Sequence, residues 1–81
     1  MSSLNERIAR TIRYFRVQQR LSQDALADRC GLDRTYISGV ERCVRNITIN
    51  SLERIIVDGL SISTSTFFSF VEGLHDDLQN K

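Results

Sequence analysis

Residues 34–42 read RTYISGVER. On a helix with Ile37 and Val40 turned inward, this segment leaves Thr35, Ser38, Gly39 and Arg42 on one outer face, with Arg34 and Tyr36 at its flanks near the N-terminal end. That face is short, polar and uncluttered. It suits the major groove of duplex DNA, about 12 Å wide, where the N-terminal end of an inserted helix reaches the base edges. Arg34 has the planar fork that bonds guanine O6 and N7 together. Thr35 can offer its methyl to a thymine or its hydroxyl to a phosphate. Two roles are open to Tyr36: its ring packs on sugar or a thymine methyl, or it closes the edge of the core. Gly39 likewise either admits a close backbone approach or serves packing alone.

A second set suits phosphate rather than bases. Ser22 and Gln23 open a helix, so backbone amides and a side-chain amide point outward at the positive end of a dipole. Arg45, Asn46, Asn50 and Ser51 bracket the start of another helix and can hold the next phosphate in the same way. The outward Ser38 and Arg42 join this set. Such contacts set register and carry no base preference.

Other chemistries are poorly supplied. One histidine, His75, near the C-terminal end, and no phosphate-cradling glycine loop leave no Ser–His–Asp, Cys–His or paired-carboxylate arrangement, so no enzyme is expected. Cys30 and Cys43 stand thirteen apart without a CxxC pair, and only His75 could join them on zinc, so no metal is expected. Both thiols are expected to be buried as small apolar groups. No cofactor, small molecule or membrane is implied. No apolar run approaches membrane-spanning length, no leader is evident, and the expected compartment is the cytoplasm.

The elements that must position these residues follow from apolar spacing. Leu4, Ile8, Ile12 and Phe15 fall within an arc of about 80° at 100° per residue, an amphipathic first helix whose Arg7, Arg10, Arg13 and Arg16 lie outside it, facing water or a partner. Arg16 is expected to pair with Glu41, linking helix one to helix three. Ser22 caps a second helix from Gln23 to Cys30, ended by Gly31. Asp33 caps a third, reaching about Arg42. Thr48 or Asn46 caps a fourth, with Ile49, Leu52, Ile55 and Ile56 as its apolar series and Gly59 as its stop. Ser63 or Thr64 caps a fifth, carrying Phe67, Phe68, Phe70, Val71 and Leu74.

Residues 23–42 therefore form a helix-turn-helix unit. Leu26, Ala27, Cys30, Leu32, Ile37 and Val40 pack its two helices together, with Ala27 small where they cross and Gly31 free to adopt positive φ. An αα-hairpin built only for packing could share the pattern. Charge separates the two ends of the chain. Residues 1–45 hold nine arginines against five acids, a net +4, and residues 46–81 two bases against five acids, a net −3. The basic front fits nucleic acid, while the overall +1 would conceal it.

Eighty-one residues, 41% apolar and 26% charged, make one all-α domain over 1–81. A chain so short buries only about 60–65% of its unfolded surface, which favours self-association. The fifth helix, about residues 64–77, carries more apolar surface than closing a small core needs. Phe67, Phe70, Val71 and Leu74 are its expected dimer contacts.

The stretch LSQDALADRCGLDRTYISGVERCVRNITINSLERI resembles the lambda-repressor-like, XRE-type helix-turn-helix family over residues from about 5 to 75. DRTYISGVER followed by RNITINSL is similar to the controller proteins of restriction–modification systems. The resemblance implies five helices, base contacts from Arg34, Thr35 and Tyr36, and phosphate contacts from Gln23, Ser38, Arg45, Asn46 and Ser51. It also implies a homodimer formed through the last helix and a structural pair of Arg16 with Glu41. Such a regulator binds a pseudo-palindromic operator, times endonuclease expression, and both activates and represses its own promoter. Activation would involve RNA polymerase, with Asp24 and Asp28 the acidic candidates for that contact. Arg20 and Cys43 depart from the family pattern, standing where relatives usually have turn glycines. A phage-type repressor or an antitoxin would share the fold, and a protein interaction module without DNA contact is the alternative of a different class.

Overall fold

The computed structural model describes the backbone of residues 3–79 and the side chains of residues 3–74. Five helical segments follow one another: α1 (Leu4–Gln18), α2 (Gln23–Cys30), α3 (Arg34–Glu41), α4 (Ile49–Glu53), which runs on into a π-helical stretch (Arg54–Gly59), and α5 (Thr64–Gln79). No strand occurs among the described residues.

Each helix starts where a short polar side chain satisfies an otherwise unbonded amide. Ser22 Oγ accepts from Ala25 N at 3.0 Å, Asp33 Oδ1 from Thr35 N at 2.9 Å, Thr48 Oγ1 from Ser51 N at 3.1 Å, and Ser63 Oγ from Thr66 N at 3.0 Å. At α1 the cap is reciprocal. Glu6 N donates to Ser3 Oγ, and Ser3 N donates back to Glu6 Oε1.

Helix ends share one device. After α2, Leu32 N donates to Ala27 O and Gly31 N to Asp28 O, with Gly31 at φ 69°. The same pair of bonds closes α1 around Arg20 (φ 60°) and α3 around Cys43 (φ 61°). Both departures from glycine thus keep the left-handed turn, at about 1 kcal/mol or more of backbone strain each. Ser61 (φ 56°) plays a related part after the π-helical stretch, where Ile62 N reaches Ile56 O.

Burial draws one core from all five segments: Ile8, Ala9 and Ile12; Leu26, Ala27 and Cys30; Ile37 and Val40; Leu52, Ile55, Ile56 and Leu60; Phe67 and Val71. A fully buried side chain of this size contributes about 1.5–3 kcal/mol. The π-helical stretch, rather than the first turn of α4, lies against α2. Ile49, expected in the buried series, is therefore uncovered and 84% exposed. Gly59 ends the helix as its last residue and not as a left-handed turn after it. It belongs to the π-helical stretch and lets it approach α2 closely, because a Cβ there would sit 2.6 Å from both Cys30 Sγ and Leu26 Cδ1. Beyond it, Arg29 Nη1 donates to Gly59 O and Gln19 Nε2 to Leu60 O, satisfying carbonyls left free at the helix end.

Other corrections concern α1 and the thiols. Leu4 is exposed, since it sits in the first turn at the end of its stripe. Arg7 does not face water: it is half-buried, its Nη1 donating to Val71 O on α5. Arg16 is half-buried against Glu41 on α3, the partner read for it from the sequence. Cys30 is buried, but Cys43 is exposed, because the left-handed residue after α3 turns its side chain away from the core.

Candidate DNA-binding face and dimer face

The helix-turn-helix unit places α3 against α2 with Ile37 and Val40 in the core. Arg16 then locks α3 to α1. Its Nε donates to Glu41 Oε2 at 2.7 Å, its Nη2 to Glu41 Oε1 at 2.9 Å, and its Nη1 to Leu21 O at 2.9 Å. Gln23 Nε2 also donates to Glu41 Oε1 at 3.1 Å, so this amide, expected to face a phosphate, is half-buried and engaged inside the protein. α3 is thereby held by a fork of bonds rather than by apolar contact alone.

Across the outer side of α3, the residues read from sequence divide into free and engaged groups. Arg34, Thr35 and Arg42 are exposed, and Ser38 and Tyr36 are half-buried. Thr35 is oriented by its neighbour: both its amide and its hydroxyl donate to Asp33 Oδ1, at 2.9 and 2.8 Å. The amide bond first, then the hydroxyl bond, hold the Asp33 carboxyl below the usual carboxylate range, with Arg45 adding to the effect. Tyr36 Oη accepts from Thr48 N at 3.4 Å, which ties the tip of α3 to the cap of α4. Its ring is thus partly structural.

Gly39 is not on the open face. It is buried beneath Arg45, whose aliphatic stem crosses where a side chain would stand, 3.0 Å from Cδ to a Cβ built there. The Arg45 guanidinium then rests 5.9 Å from the centre of the Tyr36 ring, a cation–π approach. Arg45 itself stays exposed, as do Ser22, Asn46 and Asn50, with Ser51 half-buried. The Oγ of Ser22 is used as the α2 cap. Sequence spacing could not reveal that Arg45 lies along α3, because the contact depends on how the 43–48 loop folds back.

On another side, α1 and α5 enclose an open groove of about 580 Å³ lined by Arg10, Thr11, Tyr14, Ser69, Phe70, Gly73 and Leu74. Tyr14 stacks on Phe70 at 5.0 Å between ring centres, and Phe15 meets Phe70 edge-on at 4.7 Å. Of the expected dimer contacts, Phe70 is 41% exposed and Leu74 half-buried. Phe67 and Val71 are corrections: both are 0% exposed inside the chain's own core and have no surface to offer a partner. Tyr14, 44% exposed and stacked on Phe70, lies on this face with Phe70 and Leu74.

No three His, Cys, Asp or Glu residues gather as metal ligands among the described residues, and no single helix there is long and apolar enough to cross a membrane. The side chain of His75 lies outside the described residues.

Residues 12–57 match the helix-turn-helix family model. A hypothetical transcription factor of Neisseria meningitidis is 48% identical over 48 residues, covering 59% of this chain and 45% of that protein. Control protein C.SmaI of Serratia marcescens is 45% identical over 49 residues, covering 60% of this chain and 58% of that one. The matched region spans about half the length of these two curated relatives. Among solved structures, the restriction–modification controller protein C.Esp1396I superposes with a TM-score of 0.84 at 41% identity, covering 90% of this chain and 95% of that one. That protein has been solved as a tetramer in complex with its natural 35 base-pair operator.

Proposed function

Because the chain belongs to the helix-turn-helix family and, within it, to the controller proteins of restriction–modification systems, a group of transcription regulators and not of enzymes, we propose that it is a cytoplasmic regulator timing restriction–modification genes from an operator at its own promoter. The observation that carries this reading is the outward polar face of α3, held in place by Arg16 and Glu41 while Arg34 and Thr35 remain exposed at its leading end.

In the mechanism, two copies pair through α5 and the Tyr14, Phe70 and Leu74 surface, presenting two α3 helices to successive major grooves about 34 Å apart. Arg34 reads a guanine, Thr35 and the exposed part of Tyr36 contact the neighbouring bases, and Ser22, Ser38, Arg42, Arg45, Asn46, Asn50 and Ser51 contact phosphates. Gln23 serves there with its backbone amide, its side chain being committed to Glu41. Affinity falls as salt rises, since phosphate contacts release counterions. One bound dimer activates by touching RNA polymerase; a second, filling the adjacent half of a longer operator, represses. C.Esp1396I bound as a tetramer to its operator supports this reading by analogy.

Fluorescence anisotropy on duplexes from the region upstream of the chain's own gene tests the proposal. Arg34→Ala is expected to weaken binding to the preferred duplex by about 1–3 kcal/mol and to relax choice at one base pair. An unchanged affinity with an intact helical spectrum would overturn it.

A further inference from the structure

We propose that Asp24 is a specificity-determining positioning residue for Arg34. The inference rests on the reading that Arg34 contacts a base. Asp24 lies in the first turn of α2, and its Oδ1 stands 3.4 Å from Arg34 Nε across the gap between the two helices. The pair is open to solvent, the side chains being 60% exposed for Arg34 and 74% for Asp24. An ion pair this exposed adds little to folding. Its effect is on geometry.

A guanidinium carries five N–H donors in one plane. With the Nε edge turned to Asp24, the two Nη groups at the far end are left free, and their fork spans the O6 and N7 acceptors of guanine. A freely rotating arginine at the end of an exposed helix can instead settle on the nearest phosphate, which rewards any DNA sequence equally. The adjacent carboxylate, Asp33, makes no ion pair with Arg34 among the described residues; its Oδ1 accepts from the Thr35 amide and hydroxyl instead. Among the described residues, Asp24 is the carboxylate paired with Arg34. It also adds a negative charge at the DNA-facing edge, and that charge is tolerated only while Arg34 stays beside it. Positioning and repulsion together favour the cognate base over other sequences.

The test uses the full chain and a duplex selected by the unmodified protein from a randomised pool, with copies in which each G·C pair is changed in turn to A·T. In Asp24→Ala, preference for the pair read by Arg34 should fall about tenfold, the size of one base-pair contact, while binding to unrelated duplexes tightens. Asp24→Glu should restore most of the preference. In a chain already carrying Arg34→Ala, adding Asp24→Ala should leave the remaining preference unchanged. If Asp24→Ala tightens every duplex by one common factor, the carboxylate merely repels DNA and the positioning role is overturned. If Arg34→Ala itself leaves every preference intact, the reading of Arg34 fails first, a result distinguishable from failure of Asp24 alone.

Discussion

Arg16 on α1 and Glu41 at the end of α3 meet through two parallel bonds, 2.7 Å from Nε to Oε2 and 2.9 Å from Nη2 to Oε1, and the Glu41 side chain is only 2% exposed. Removing either partner leaves a charge with little water to solvate it. Arg16→Ala or Glu41→Ala should therefore destabilise the domain by about 3–5 kcal/mol. Arg16→Lys should recover only part, since an ammonium cannot reproduce the fork. Urea unfolding followed by circular dichroism measures this. A loss under about 1 kcal/mol, the range of surface pairs, would count against the lock on α3.

Phe67 and Phe70 sit three residues apart on α5 and should respond in opposite ways. Phe67→Ala empties the centre of the core and is expected to cost about 3–5 kcal/mol. Phe70→Asp should leave the monomer folded and abolish its self-association, because the ring lies on the exposed α1 and α5 groove. Light scattering beside thermal unfolding separates the two effects. A Phe70→Asp chain that stays dimeric would place the interface elsewhere.

Gly39→Ala should change DNA binding more than stability. The added Cβ stands 3.0 Å from Arg45 Cδ and 3.1 Å from its Cγ, so the stem must give by a few tenths of an ångström, which shifts the guanidinium against the Tyr36 ring. Better helix propensity offsets part of that cost, keeping stability within about 1 kcal/mol. Affinity is expected to weaken across all duplexes, with a shallower salt dependence as one phosphate contact is disturbed. Titrations at several salt concentrations check both.

The two thiols should differ in reactivity and in their effect on pH stability. Burial, then the nearby Asp58 carboxylate, pushes the Cys30 thiol up to about 11 from an ordinary 9.0, against a smaller lowering by Arg54. Cys43 is exposed. A thiol reagent at pH 8 should modify one group rapidly in the native protein and the second only on unfolding. The native Cys30 pKa lies above the unfolded one, so its contribution to stability is whole below pH 9 and declines as pH rises toward 11. Cys30→Ala should flatten that decline in urea midpoints taken from pH 8 to 11.

Much of this was legible locally. The caps at Ser22, Asp33, Thr48 and Ser63, the turn at Gly31 and the departures at Arg20 and Cys43 all depend on residues within a few positions of one another, where side-chain chemistry and steric limits on φ decide the outcome. The pairing of Arg16 with Glu41 was readable too, as something the family resemblance implied. Less was legible in the loop after α3. Nothing in the spacing of Arg45 from Gly39 says that one lies over the other, or that Thr48 would meet the Tyr36 hydroxyl.

Sequence alone determined the number of helices, their ends, and the polar outer face of α3, because periodicity and capping are properties of short segments. Only the tertiary structure decided that Phe67 and Val71 belong to the core while Phe70 faces outward, that Ile49 is uncovered, and that Gln23 turns to Glu41. A helical repeat states the angle at which a side chain leaves its axis. Whether anything covers it depends on where the neighbouring helix ends.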